Sequence, residues 1–351
     1  MRWLYIALST ALATSAGAGA GDSAELPSVG ADISATSVSG LSSGGYMAGQ
    51  FQVAHSKWVV GAGIVAAGPY GCAESEAAKI FPWFATALIA NETQALTGCM
   101  ANRLSYLNVL DPDRLLGQAN DLASQGKIDP IQGLQREKVY LFTGKDDETV
   151  SKDVVQTARD FYVKAGVPAT NIQFISGQPG GHGFLTQTEG ISCSATEPPY
   201  INKCGYDQAG EILKFIYGAL EPKREPGAEN FLSFDQTAFA SPDATLADNG
   251  TVYIPSDCRS HRGCKIHVVF HGCRQSASDV GDTFIRESGF AGWADSNRII
   301  VLFPQIKSSD LNSRACWDWW GYTGLDFLSK EAPQIKAVSS MVEKLAANAK
   351  P

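Results

Sequence analysis

Nowhere in this sequence do lysines and arginines gather into a basic run, and 28 of them against 36 acidic residues leave a formal net charge of -8. That balance argues against nucleic acid or an anionic membrane surface as partner and points to a neutral target. No Cys-x-x-Cys pair occurs, and the five histidines are not spaced with cysteines as zinc ligands are. No metal and no cofactor are therefore expected. Past the N-terminus there is also no apolar run long enough for a membrane-spanning helix.

The N-terminal exception is short. Met1-Arg2 precede an apolar run from Trp3 to about Ala13, followed by small residues including Ala18-Gly19-Ala20. This reads as a secretory signal peptide over 1–20. The remainder, 21–351, is expected to be a secreted, soluble monomer, extracellular or periplasmic, forming a single α/β domain whose 44% hydrophobic residues can supply a sizeable core. Eight cysteines in an exported chain suggest disulfides. Many pairings are open; the preferred set couples sequence neighbours, Cys72 with Cys99, Cys193 with Cys204, Cys258 with Cys264, and Cys273 with Cys316.

What the sequence does contain begins with Gly40-Leu41-Ser42-Ser43-Gly44, a GxSxG pattern. A β-like run, Ile33 to Val38, comes before it, and apolar residues at helical spacing follow from Tyr46 to Ala54. Strand, sharp turn and helix are the context a nucleophile elbow requires, with Ser42 thrust out over the end of a sheet. In a glycine-rich chain the pattern alone could be an ordinary turn.

Further strands are expected at Trp58–Gly68, Lys138–Gly144 and Asn171–Ile175, with helices near Glu74–Leu88, Asp113–Gln125 and Val150–Ala165 between them. Such alternation means a parallel sheet with right-handed crossovers. Ser42, Asp147 and His182 then follow in that order, each just past a strand's C-terminal end, where active sites of open parallel sheets form. Asp147 could be only a turn former, and Asp146 is the rival acid. His182, flanked by Gly181 and Gly183 in a loop, has no apolar face to fill. His267 reads as part of an interior strand, while His55 and His261 read as surface positions.

A nucleophile strand normally lies inside a sheet, yet only a short segment precedes this one. The missing strands are expected after a turn-rich linker from Glu221, at Thr251–Pro255, Lys265–Phe270 and Arg298–Pro304, with a helical crossover over Asp279–Ser296. The segment 251–304 would complete a circularly permuted α/β-hydrolase fold, a mostly parallel central sheet flanked by helices. His271-Gly272-Cys273 resembles an esterase oxyanion loop, so the amides of Ser43 and Cys273 are the candidate oxyanion donors. The dense aromatics Trp317, Trp319, Trp320 and Tyr322 could be core, but beside Asp318 and Gly321 they are expected to line an apolar substrate cleft.

Together these motifs resemble the exported poly(3-hydroxybutyrate) depolymerases whose lipase box lies near the mature N-terminus. The resemblance rests on Ser39 to Met47, Gly144 to Val150, Gly181-His182-Gly183, His271-Gly272-Cys273 and Cys316 to Tyr322. It implies a carboxylic ester hydrolase acting on poly(3-hydroxybutyrate) or its oligomers through an acyl-enzyme on Ser42, with His182 as base and acid and Asp147 as its partner. The partner is then a hydrophobic polyester or oligoester. No separate polymer-binding domain is expected, since the chain stops soon after the helix near Met341. Two other readings share the residues: an exported esterase for feruloyl, acetyl or lipid esters, and a non-catalytic polymer binder of the same fold.

Overall fold

Thr36–Leu41 (β1) and Val59–Val65 (β2) pair in parallel at the centre of an eight-stranded sheet. Small residues make this centre possible: a Cβ at Gly63 of β2 would press on Ile212, from the helix that crosses that face. The computed structural model describes residues 24–348 apart from 82, so the signal peptide over 1–20 lies outside the described residues. Lys138–Phe142 (β3) and Ile172–Ile175 (β4) extend the sheet beyond β2, all in parallel.

Three short strands, Phe184–Thr186 (β5), Ile191–Ser192 (β6) and Ile201–Lys203 (β7), form a separate sheet in the loop after β4, with the Cys193–Cys204 disulfide across it. Phe231–Asp235 (β8) and Asn249–Tyr253 (β9) pair antiparallel at the far edge. Lys265–Phe270 (β10) and Ile299–Phe303 (β11) return to the parallel direction. The order is β4-β3-β2-β1-β10-β11-β9-β8, so the late strands flank the opening one as a circular permutation requires. The edge strand β8 and the small sheet were not expected. The crossover foreseen over Asp279–Ser296 is three short helices, Ala277–Val280, Thr283–Glu287 and Phe290–Asn297.

The seam between β1 and β10 carries a polar clamp. Ser37 pairs with His267 in register, and the imidazole spans two serines: Nδ1 lies 2.6 Å from Ser37 Oγ and Nε2 2.8 Å from Ser39 Oγ. Tyr217 adds a hydroxyl 2.7 Å from Ser37 Oγ. Burial with no charged partner pushes the His267 pKa down to about 3, which keeps the ring neutral.

Helix α1, Ser43–Ala54, is buried along its whole length. It lies on one face of the sheet together with Lys152–Lys164 and Pro333–Ala346, and Gln208–Tyr217 covers the other. Its polar side chains are satisfied inside: Gln50 Nε2 donates to the Asp318 carbonyl at 2.9 Å and Gln52 Nε2 to Glu137 at 2.8 Å. His55, expected at the surface, is instead packed between Phe51 and Trp58, and burial lowers its pKa to about 4. Disulfides join the preferred couples Cys72–Cys99, Cys193–Cys204, Cys258–Cys264 and Cys273–Cys316.

Candidate active site

β1 ends at Leu41 and α1 starts at Ser43, so Ser42 must turn the chain between them. It does so at φ 57°, ψ -120°, a conformation costly for a residue with a side chain. The corner is pinned on both sides: Ser42 N–H donates to Val65 O at 2.9 Å, and its carbonyl accepts from Tyr46 N–H at 3.0 Å. Gly44 is required at this corner. A Cβ there would overlap the carbonyls of Phe270 and His271, at the end of the neighbouring strand.

Asp147 and His182 come from the loops after β3 and β4. The two loops cross closely, tied by Asp146 N–H to Gly180 O at 3.0 Å and by Gly180 N–H to Asp146 Oδ2 at 3.3 Å. Asp147 Oδ1 accepts from the amides of Thr149 and Val150, at 2.8 and 3.1 Å, which fixes its carboxylate. Its Oδ2 meets His182 Nδ1 at 2.9 Å with both side chains buried. With Nδ1–H directed at the carboxylate, Nε2 is left as the basic nitrogen. The neighbouring acids therefore have different partners, Asp147 the imidazole and Asp146 the loop backbone.

Cys273 sits on a loop fastened at each neighbouring residue. Gly272 N–H donates to Gln275 Oε1 at 2.7 Å, and Arg274 N–H to Arg314 O at 2.8 Å. His271 is a strut: its Nδ1–H donates to Gly272 O at 2.8 Å while Nε2 accepts from Ile306 N–H at 3.2 Å. Complete burial lowers its pKa to about 4, consistent with that neutral tautomer. On the other side, Ser43 opens α1, where helix geometry leaves the N–H without an intrahelical acceptor.

Ser42 opens onto two cavities. One, of about 220 Å³, is lined by Ser42, His182, Thr196, Cys273, Arg274 and Arg314 among others. The second, of about 320 Å³, is walled by Tyr46, Leu96, Met100, Trp319 and Trp320. Trp319 stacks on Tyr46 with ring centroids 4.0 Å apart, and Trp320 meets it edge-on at 5.9 Å.

The other two aromatics are a correction to the sequence reading. Trp317 is fully buried, edge-on to Phe270 at 4.8 Å, and Tyr322 is buried with its hydroxyl donating to Cys316 O at 2.7 Å. Neither lines the two cavities beside Ser42, because the loop turns both rings into the core. Sequence reasoning also missed Gln275, whose Nε2 bridges to Pro199 O and Tyr200 O at 2.9 and 3.1 Å, and Asp318. Gln275 lies two residues past the His271-Gly272-Cys273 motif, and Asp318 stands inside the tryptophan run, named there only as a neighbour of the aromatics.

An imidazole held by a carboxylate and a hydroxyl on a strained corner, both on the lining of one cavity, can carry out acyl transfer. Among the described residues no cluster of histidine, cysteine or acidic side chains is arranged to hold a metal ion, and no helix is long and apolar enough to cross a membrane.

No family model matches the chain. It is 37% identical over 325 residues to a poly(3-hydroxybutyrate) depolymerase of Delftia acidovorans, a match covering 91% of this chain and 61% of that protein. It is 32% identical over 337 residues to a polyhydroxybutyrate depolymerase of Talaromyces funiculosus, covering 91% of this chain and 92% of the relative. Among solved structures, the PHB depolymerase from Penicillium funiculosum superposes with a TM-score of 0.77, and a PHB depolymerase variant complexed with an R3HB trimer with 0.79. Both are 29% identical to this chain, with 92% of it and 98% of theirs covered.

Proposed function

The chain belongs to the poly(3-hydroxybutyrate) depolymerase family, and from that premise we propose that it is a serine esterase cleaving poly(3-hydroxybutyrate) or its oligomers. The observation that carries this reading is His182, held by Asp147 at 2.9 Å and bordering the cavity into which Ser42 opens.

In the proposed mechanism Ser42 Oγ attacks the ester carbonyl while His182 Nε2 takes its proton. Asp147 stabilises the imidazolium that forms. The carbonyl oxygen gathers negative charge and is met by the amides of Ser43 and Cys273; one such donor contributes about 3 kcal/mol to the transition state. The bond from carbonyl carbon to alkoxy oxygen then breaks, and His182 returns the proton to the leaving alcohol. Water, deprotonated by the same nitrogen, attacks the acyl-enzyme, and Ser42 regains its proton as the acid departs.

Trp319, Trp320 and Tyr46 offer the apolar wall for the chain's methylene and methyl groups. The strained corner at Ser42 supports a catalytic rather than a merely binding role, since such backbone costs persist where function uses them. Export is part of the same reading, supported by the leader-like 1–20 and four disulfides.

A fluorophosphonate probe should label the wild type and not Ser42→Ala; an unlabelled wild type would favour a non-catalytic binder. The wild type should also hydrolyse a 3-hydroxybutyrate trimer. Turnover of feruloyl or acetyl esters without trimer or polymer cleavage would move the substrate assignment to another ester.

A further inference from the structure

The two cavities beside Ser42 differ in charge. The larger, with its aromatic wall, has the acidic Glu92 on its lining. The smaller, which contains His182, is bordered by Arg274 and Arg314, and Arg314 lines both. Both arginines are exposed, and among the described residues neither guanidinium is engaged in an ion pair.

Their placement is built into the loops. Arg274 follows Cys273 directly, Arg314 lies two residues before Cys316, and the Cys273–Cys316 disulfide fastens the two segments together. The backbone bond from Arg274 N–H to Arg314 O, 2.8 Å, holds the two main-chain positions together, and both residues line the smaller cavity. Two cations on the lining of the smaller cavity, which has no acidic side chain on it, make that cavity attractive to an arriving anion.

The substrate has a direction that matches. In a chain of 3-hydroxy acid units, the oxygen that leaves on ester cleavage belongs to the unit nearer the acid end. Two carbons separate that oxygen from the unit's own carbonyl, which at the chain end is a free carboxylate. His182 must stand beside the leaving oxygen, because its nitrogen returns the proton there. The smaller cavity therefore receives the leaving unit, and the two cations stand where its carboxylate arrives.

Resting on the esterase reading above, we propose that Arg274 and Arg314 recognise the free carboxylate of a 3-hydroxyalkanoate oligomer. The enzyme then removes the terminal hydroxy acid from short, acid-ended chains in preference to cutting where no charge is present. Guanidinium groups suit this task, since their planar fork can meet both carboxylate oxygens. Because the pair is solvent-exposed, screening limits the preference to roughly 3- to 10-fold.

The test compares kcat/KM for a 3-hydroxybutyrate trimer with a free carboxylate against the same trimer as its methyl ester. At low ionic strength the wild type should favour the free acid by about 3- to 10-fold, and added salt should shrink the ratio. R274Q/R314Q should bring the ratio to about one, while R274K/R314K should retain part of the preference. A folding defect cannot move the ratio, since both substrates meet the same preparation. If both trimers are cleaved equally by the wild type, or the glutamine variant keeps the full preference, carboxylate recognition is wrong and the esterase reading stands. If neither trimer is cleaved, the esterase reading fails and this inference with it.

Discussion

Replacing His267 with leucine tests how the late strand is joined to the opening one. The imidazole bridges Ser37 Oγ and Ser39 Oγ across the seam between β1 and β10, at 2.6 and 2.8 Å. Leucine fills similar space but leaves a buried hydroxyl without that partner, at a cost of about 1–3 kcal/mol. The pH dependence is the sharper signature. Burial lowers the histidine's pKa from 6.5 to about 3. A value depressed in the folded state means that the unfolded chain binds more protons between these limits. Stability lent by the neutral ring is therefore complete above about pH 6.5 and is lost as pH falls toward about 3. At pH 5 the loss is about 2 kcal/mol, and leucine cannot suffer it. The stability gap between wild type and His267→Leu should thus shrink by about 2 kcal/mol from pH 7 to pH 5. Buried carboxylates such as Glu137, pushed up by desolvation, act in the opposite sense but are present in both proteins and cancel in the difference. Urea unfolding followed by the fluorescence of the seven tryptophans, at each pH, measures the gap. A gap equal at both pH values would refute a buried, neutral His267.

Asp147→Asn should lower kcat by about ten-thousand-fold, since the amide no longer holds the imidazole in the productive tautomer, with the urea midpoint little changed. Asp146→Asn should keep most of the activity, and the reverse order in trimer hydrolysis would move the acid by one position. Cys273→Ser with Cys316→Ser frees a loop spanning a sequence separation of 43. Loop entropy alone predicts a loss of about 4 kcal/mol in unfolding free energy, and kcat should fall as the Cys273 amide loses its anchor. Unchanged stability and kcat would show that the hydrogen bonds alone hold the loop.

The central sheet was legible because its strands are long apolar runs bounded by glycine or proline and separated by helical periodicity. β8 and the small sheet were not. Phe231–Asp235 is largely half-buried at an edge, and Ile191–Ser192 is two residues long, too short for any period to register. Ser42, Asp147 and His182 could be picked out because each follows a strand pattern directly and has glycines nearby. Asp146 and Asp147 follow the same glycine, so in the sequence only the resemblance of Gly144-x-x-Asp147-x-x-Val150 to a hydrolase acid loop favours Asp147. The physical reason is the meeting of two loops, with Gly180 taking Asp146 and His182 taking Asp147.

The tryptophan run shows where such reading stops. Its density announced an aromatic surface, but which rings face the cavity depends on how the backbone winds around one carboxylate. Asp318 Oδ1 accepts from the amides of Trp320, Gly321 and Tyr322 at 3.2, 2.7 and 3.1 Å, and Oδ2 from the Thr323 amide and hydroxyl at 2.9 and 2.6 Å. Burial pushes this carboxyl up while the donors of Thr323, Gly321 and Tyr322 pull it part of the way back toward the ionised form. The segment is also tied to the C-terminal helix, where Gln334 accepts from the Asp318 amide at 2.8 Å and donates to Tyr322 Oη at 2.8 Å. Those bonds send Trp317 and Tyr322 inward and leave Trp319 and Trp320 on the wall. A buried acid amid aromatics is thus the organiser of the cleft: its carboxylate gathers Trp320 to Thr323, and its amide ties the loop to a helix residue that no local pattern connects to it.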